Sequence, residues 1–405
     1  MIRSEAFAQV ARHPQHPRAF TRQRVLTLPA LVTSLLCLRG SSLPTLLEDF
    51  FSRLRGPSCP AQGVSDRAFA KARSHLHVPA LTGLNDDVLA RADAAGLVDR
   101  WRGFRLVAAD ASVFMPAIRR CARTRGLASA DQRLFALYLP GSELTLHATL
   151  YAASESERAV LANALARLAP DDVLLLDRGY PAAWLVNLLS QRGLRFVMRC
   201  DQRSGGWTAV QRFMRSSQPE AQVRLRAPTA RDAADWRCPT SAPEVRLVRQ
   251  IAPNGQVRVL MTNLTPEQAP AQSFGWLYHQ RWRIEEAFKR LKHRLHLEAV
   301  SGLSQHAVMV DVAAKVLADN LASLLALAAQ QHAGNPPERP CNRAHATHAL
   351  LHLLPRLLVD LDGAFSLLDS LIVQLSRGLK RRKPDRSAPR PSSSSKPHPS
   401  LAYRG

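Results

Sequence analysis

The sequence predicts an α/β fold flanked by helices, and three observations carry the prediction. Residues 101–200 alternate strand-like and helix-like patterns in the order βββαβαβ. Within them, Asp172-Val-Leu-Leu-Leu-Asp177 is a short, almost wholly apolar run of the kind buried on both faces of a parallel sheet. Before about residue 100 and after about residue 300, apolar positions recur on a helical period instead. A chain of 405 residues can bury a large core and is expected to hold two or three domains.

Composition narrows the partner before any motif is read. Lys and Arg number 55 against 32 acids, a net charge of +23, and that excess points to a polyanion, nucleic acid first. A GC-rich coding bias toward Arg is the other source of such a charge. The six cysteines, at 37, 59, 121, 200, 238 and 341, form no CxxC pair, so neither a zinc site nor a disulfide framework is expected. The start is polar, with His13, Pro14, His16 and Pro17, and no uninterrupted apolar run reaches about 18 residues. A soluble, cytoplasmic protein with no membrane partner is the expectation.

Residues 1–100 are expected to be an N-terminal helical region. From Thr21 to about Leu97 short helices are predicted, separated at Gly40-Ser-Ser and at Gly56 to Pro60. One of them follows Ser65, an N-cap residue with Val64 as a hydrophobic staple, and bears Arg67, Lys71 and Arg73. Arg67 and Lys71, one turn apart, either form a solvated face or contact phosphates.

Residues 101–200 make the first part of the core. Strands are predicted at 104–110, 133–139 and 144–151, then a helix at 154–168 with Ser154 and Glu157 at capping-box spacing. The apolar strand 172–177 follows, then a helix from Pro181 at its first position to Gln191, then a strand at 194–200. Asp110 therefore ends the first strand and Asp177 the fourth. Taken singly, each has a plainer reading, Asp110 as a turn residue and Asp177 as a helix cap.

Residues 201–272 are too long for a loop without structure of its own and read as a β-rich insertion, with Asn254-Gly255 as a hairpin signal. Trp207 and Trp236 are core residues of it, or stack on bases. Residues 273–300 carry a helix, predicted over 277–297, whose apolar stripe is Leu277, Ile284, Phe288, Leu291 and Leu295 at about 100° per residue. Beside that stripe lie Tyr278, Arg281, Glu285 and Lys292, whereas Glu286 falls on the opposite, solvated side. A surface helix with spaced ion pairs has the same look. Residues 301–376 are a C-terminal helical region, with helices over 304–327 and 344–375. Residues 377–405, led by Lys380-Arg-Arg-Lys383 and rich in Pro and Ser, are expected to be a basic, disordered tail.

The spacing Tyr278, Arg281, Glu285, Lys292 resembles the YREK signature of bacterial cut-and-paste DDE transposases, insertion-sequence family four. Asp110-Ala-Ser112 resembles that family's DGT or DGS motif, with Ala111 where the family has Gly, and Asp177-Arg-Gly-Tyr180 resembles its second-aspartate motif. Arg199 and Thr262-Asn263-Leu264 look like further landmarks, and the likeness runs over roughly residues 20–330. It implies a ribonuclease-H-like core in which the first and fourth strands are neighbours, so that Asp110 and Asp177 lie close together and Glu285 adds a third carboxylate. Acids so placed repel unless a cation holds them, and hard oxygens select Mg2+ or Mn2+, here two ions. The likeness also implies that Tyr278, Arg281 and Lys292, with Arg67 and Lys71 at the amino-terminal end, bind DNA. It further implies cleavage at inverted-repeat ends through a hairpin, strand transfer into target DNA, a homodimer on paired ends and a place on the bacterial nucleoid. An inactive or domesticated DNA-binding relative, and a nuclease without strand transfer, share the same features.

Overall fold

A computed structural model describes residues 1–21, 25–40, 42–55, 63–116, 132–201, 207–251, 255–334 and 339–379. It divides into a helical unit (1–97, 114–132 and 289–405) and a sheet unit (98–113 and 133–288).

The helical unit starts with α1 (Glu5–Ala11), α2 (Leu28–Cys37), α3 (Leu43–Arg55), α4 (Asp66–Ser74) and α5 (Val78–Ala94). Ser4, Thr27 and Ser65 accept from the first free N–H groups of α1, α2 and α4, which is why those helices begin where they do. The Gly56 to Pro60 turn lies outside the described residues. On α4 the three cations separate: Arg67 and Lys71 are exposed, but Arg73 is buried and donates to the Ser301 carbonyl at 2.6 Å. Arg73 is therefore structural.

In the sheet unit the order is β1 (Arg105–Phe114), β2 (Gln132–Leu139), β3 (Leu144–Ala152), α6 (Glu157–Ala164), β4 (Asp172–Leu176), α7 (Ala183–Gln191) and β5 (Arg195–Arg199). Then come α8 (Thr208–Arg215), β6 (Glu220–Arg224), α9 (Ala230–Trp236), β7 (Glu244–Ile251) and β8 (Val257–Thr262). The strands form one eight-stranded sheet in the order β3-β2-β1-β4-β5-β8-β7-β6. β1, β4 and β5 are parallel neighbours, and β8 returns antiparallel to β5. The run β3-β2-β1-β4-β5 is a ribonuclease-H-like core. Leu174, Leu175 and Leu176 of β4 are fully buried, each worth about 1.5–3 kcal/mol of transfer free energy, as expected for a strand covered on both faces.

Several expectations need correction. Asp110 does not end its strand: β1 continues to Phe114, because Ala111 lacks the freedom of Gly to turn and Phe114 is fully buried. α6 starts at Glu157, three residues later than predicted, so Glu157 makes no capping box with Ser154. Pro181 is not the first helical residue. The chain stays extended through Ala182, after Tyr180 has turned its ring into the core. The strands of 201–272 make no sheet of their own but extend the central one, with α8 and α9 between them. Trp236 stacks on Trp184 of α7, with ring centroids 4.3 Å apart. Asn254 lies outside the described residues.

The run predicted as one helix over 277–297 is four helical pieces: α10 (Phe274–His279), a 3-10 turn (Gln280–Trp282), α11 (Arg283–Lys289) and a π turn (Arg290–Arg294). Its predicted apolar stripe is buried throughout.

The helical unit then resumes with α12 (Gln305–His332), α13 (Arg343–Pro355) and α14 (Ala364–Arg377). α12 is long and apolar enough to cross a membrane by composition, but it packs against α2, α5, α13 and α14, with 72% of its apolar window buried. Fully buried Lys315 on α12 donates to the carbonyls of His296 and Ala299, while Asp311 accepts from Ser301. Together with Arg73 these charges fix the turn that follows the π segment. The stretch predicted as helix over 344–375 is interrupted after Pro355 by a π turn and by left-handed Leu361 and Gly363. The expected basic tail from Lys380 lies outside the described residues.

Candidate active site

β1 and β4 pair in parallel from Arg105 opposite Asp172 to Ala108 opposite Leu175. Carried two residues further, that register sets Asp110 opposite Asp177, on strands spaced about 4.8 Å apart. At the other end of the same pair, Arg105 grips Asp172 through two hydrogen bonds of 2.6 and 2.8 Å. One end of the strand pair holds opposite charges, and the other holds two acids.

Asp177 closes a tight turn. Its Oδ1 accepts from the Gly179 N–H at 2.7 Å, so it shapes its own loop and does not cap α7. A Cβ on Gly179 would stand 3.0 Å from that same oxygen, so a side chain there would press on the carboxylate. Tyr180, 1% exposed, sends its hydroxyl to Glu157 at the start of α6.

Arg281, on the 3-10 turn, joins two of the predicted acids. One guanidinium nitrogen lies 3.0 Å from Asp110 Oδ2 and another 3.4 Å from Glu285 Oε1. It is 7% exposed, and its buried Nε finds no acceptor among the described residues. The Tyr278 ring lies 5.8 Å from the same guanidinium. Glu285 is half-buried and Glu286 exposed.

Burial raises the Asp110 carboxyl from 3.8 to about 6; Arg281 and the Ala111 N–H hold it lower, while Glu157 and Asp177 push it up. Glu157 is raised too, first by burial and, against the Tyr180 hydrogen bond, by Asp177. The site is thus short of positive charge. Among the described residues no three His, Cys, Asp or Glu side chains stand together as a ready metal cage. The donors are nevertheless hard carboxylate oxygens, under-compensated and partly buried, and that chemistry fits Mg2+ or Mn2+.

Lys292, on the π turn of the helical unit, pairs with Glu298 at 3.2 Å. Arg67 and Lys71 lie exposed on α4 of that unit. Arg199 is engaged with Asp201 in a two-bond pair of 2.5 and 2.8 Å. Asn263 takes the Phe196 N–H and gives to the Leu194 carbonyl, holding the start of β5, so that landmark is structural. Sequence reading missed Glu157, assigned to a helix cap, and the bridging of Asp110 to Glu285 by Arg281. One signal for the former was available: a tyrosine buried in the Asp177 loop needs an acceptor for its hydroxyl.

Comparison with known proteins adds the family. No curated protein matches the chain. One similar solved structure is a cryo-EM structure of piggyBac transposase synaptic complex with hairpin DNA, at a TM-score of 0.42 and 9% identity, covering 95% of this chain and 85% of that one. The family model described as transposase DDE domain matches residues 106–321, a span that takes in both aspartates and the whole Glu285 helix. Since that match covers more than half of its 405 residues, the chain belongs to the DDE-domain transposases.

Proposed function

We propose that this transposase cuts DNA at the inverted-repeat ends of a mobile element and pastes the element into target DNA, as a member of the YREK group of insertion-sequence family four. The carrying observation is the β1–β4 register, which ends at Ala108 and Leu175 and, carried two residues further, sets Asp110 opposite Asp177, with Arg281 linking Asp110 to Glu285. Water opens the phosphodiester at the element's end, leaving a 3′-hydroxyl and a 5′-phosphate. The 3′-hydroxyl then displaces an oxygen at a target phosphodiester, giving up its proton as the new bond forms.

Asp110, Asp177 and Glu285 would hold the divalent ions. When bound, such a pair activates the attacking oxygen and offsets charge on the leaving one. Arg281 and Lys292 grip the scissile strand through its phosphates. In the free protein both cations are occupied by carboxylates, Asp110 and Glu285 for the first and Glu298 for the second, and DNA phosphate exchanges with them. Arg67 and Lys71 add phosphate contacts from α4. A dimer on paired ends completes the reading.

The test is a labelled duplex carrying the element's own ends, incubated with Mg2+. Wild type should release the end, and Asp177→Asn should bind the duplex with unchanged affinity and leave it uncut. Cutting by Asp177→Asn at the wild-type rate would falsify the assignment.

A further inference from the structure

We propose that Glu157 is a fourth carboxylate of the acidic centre, facing the same divalent cation as Asp110 and Asp177. The inference rests on the metal-dependent reading above and adds a residue to it.

Geometry brings Glu157 to the Asp177 loop by two independent ties from the first turn of α6. The Tyr180 hydroxyl donates to Glu157 Oε1, and the neighbouring Arg158 Nε donates to the Gly179 carbonyl at 2.8 Å. Gly179 in turn gives its N–H to Asp177. The start of α6 and the second aspartate are therefore one hydrogen-bonded assembly. Helix dipole alone does not account for Glu157. An acid in the first turn gains its few tenths of a kcal/mol, up to about 1, while pointing into solvent. Glu157 is instead half-buried, its carboxylate turned to the hydroxyl of the buried Tyr180. Burying three carboxylates together is unfavourable unless a cation joins them. The cation beside them is already shared, since Arg281 bridges Asp110 and Glu285. Arg281 is itself more than nine-tenths buried, with Nε lacking an acceptor among the described residues, so the centre is incomplete on its cationic and its anionic side alike. A bound metal with a DNA phosphate completes both.

A purely structural Glu157 needs only an acceptor for Tyr180, and a glutamine supplies one. Glu157→Gln therefore separates charge from hydrogen bonding, and Tyr180→Phe does the reverse. The probe is Mn2+ alone, titrated into the full chain with and without a duplex of the element's end, and followed by the electron paramagnetic resonance of free Mn2+. Thermal melting of each metal-free variant accompanies it. Glu157→Gln should weaken Mn2+ binding about tenfold to a hundredfold with its melting temperature kept or raised, and Tyr180→Phe should lower the melting temperature and weaken Mn2+ binding less. If Asp177→Asn loses Mn2+ while Glu157→Gln binds it like wild type, Glu157 is structural and the inference is wrong. If wild type binds no Mn2+ under either condition, this inference and the metal-dependent reading fall together.

Discussion

The strand pair β1–β4 ends in two different ways. At its start, Arg105 and Asp172 stand in register with opposite charges, Asp172 fully buried and both its oxygens occupied. At its far end, register sets Asp110 beside Asp177, with Glu157 adding a third negative charge and Arg281 the nearest compensation. Hydrogen bonding does not distinguish them, because both oxygens of Asp110 are also occupied, by the Ala111 N–H and by Arg281. Charge balance does: Arg105 serves Asp172, whereas Arg281 is shared between Asp110 and Glu285. A balanced ion pair holds the fold together, whereas acids in excess of their cations raise the energy of the empty protein and lower it again when a cation arrives. The turn fixed by Lys315, Asp311 and Arg73 in the helical unit is of the first kind.

The contrast is sharpened most by the third acid. Glu285→Gln should reduce end cleavage by about a thousandfold or more, equivalent to about 4 kcal/mol of barrier, while Glu286→Gln stays within about twofold. Single-turnover cleavage in Mg2+ measures both, and a reversed order would mean that the functional face of α11 has been misassigned. Next comes the closed end. Asp172→Ala strands the Arg105 guanidinium and should cost about 3–5 kcal/mol of folding stability in a denaturant titration. A cost below about 1 kcal/mol would remove the distinction between the two ends. The smallest effect belongs to α4. Arg67→Ala with Lys71→Ala should leave melting unchanged and reduce the salt slope of DNA binding by about 2, one counterion release for each lost phosphate contact. An unchanged slope would make that face merely solvated.

Much of this was legible in the sequence, for identifiable reasons. The run Val173 to Leu176 has one stable place, the middle of a sheet, and the apolar stripe from Leu277 to Leu295 has one face to bury. Those two constraints position Asp177 and Glu285. Glu157 was legible only through Tyr180, 23 residues away in sequence, and local spacing to Ser154 offered a plainer use for it. The 3-10 and π turns around α11 were hidden as well, since no Pro or Gly marks them. Arg73 looked like a third cation of a DNA-facing helix, but its carbonyl partner, Ser301, is 228 residues away. For Glu157 and Arg73 the missed feature is a long-range polar contact, which periodicity does not encode.

The most direct measurement of the central claim is one variant, Asp110→Asn, read two ways. Burial lifts the Asp110 carboxyl from 3.8 to about 6, so the folded state favours its protonated form. Its contribution to stability is therefore complete below about pH 4 and is lost as pH rises through 6, leaving metal-free wild type carrying a penalty of up to about 3 kcal/mol at pH 8. Asparagine removes the charge and the penalty. The account predicts that metal-free Asp110→Asn is more stable than wild type at pH 8, that the gain fades toward pH 4, and that the variant no longer cuts a transposon end in Mg2+. A variant that is destabilised at pH 8, or one that still cuts, would contradict it.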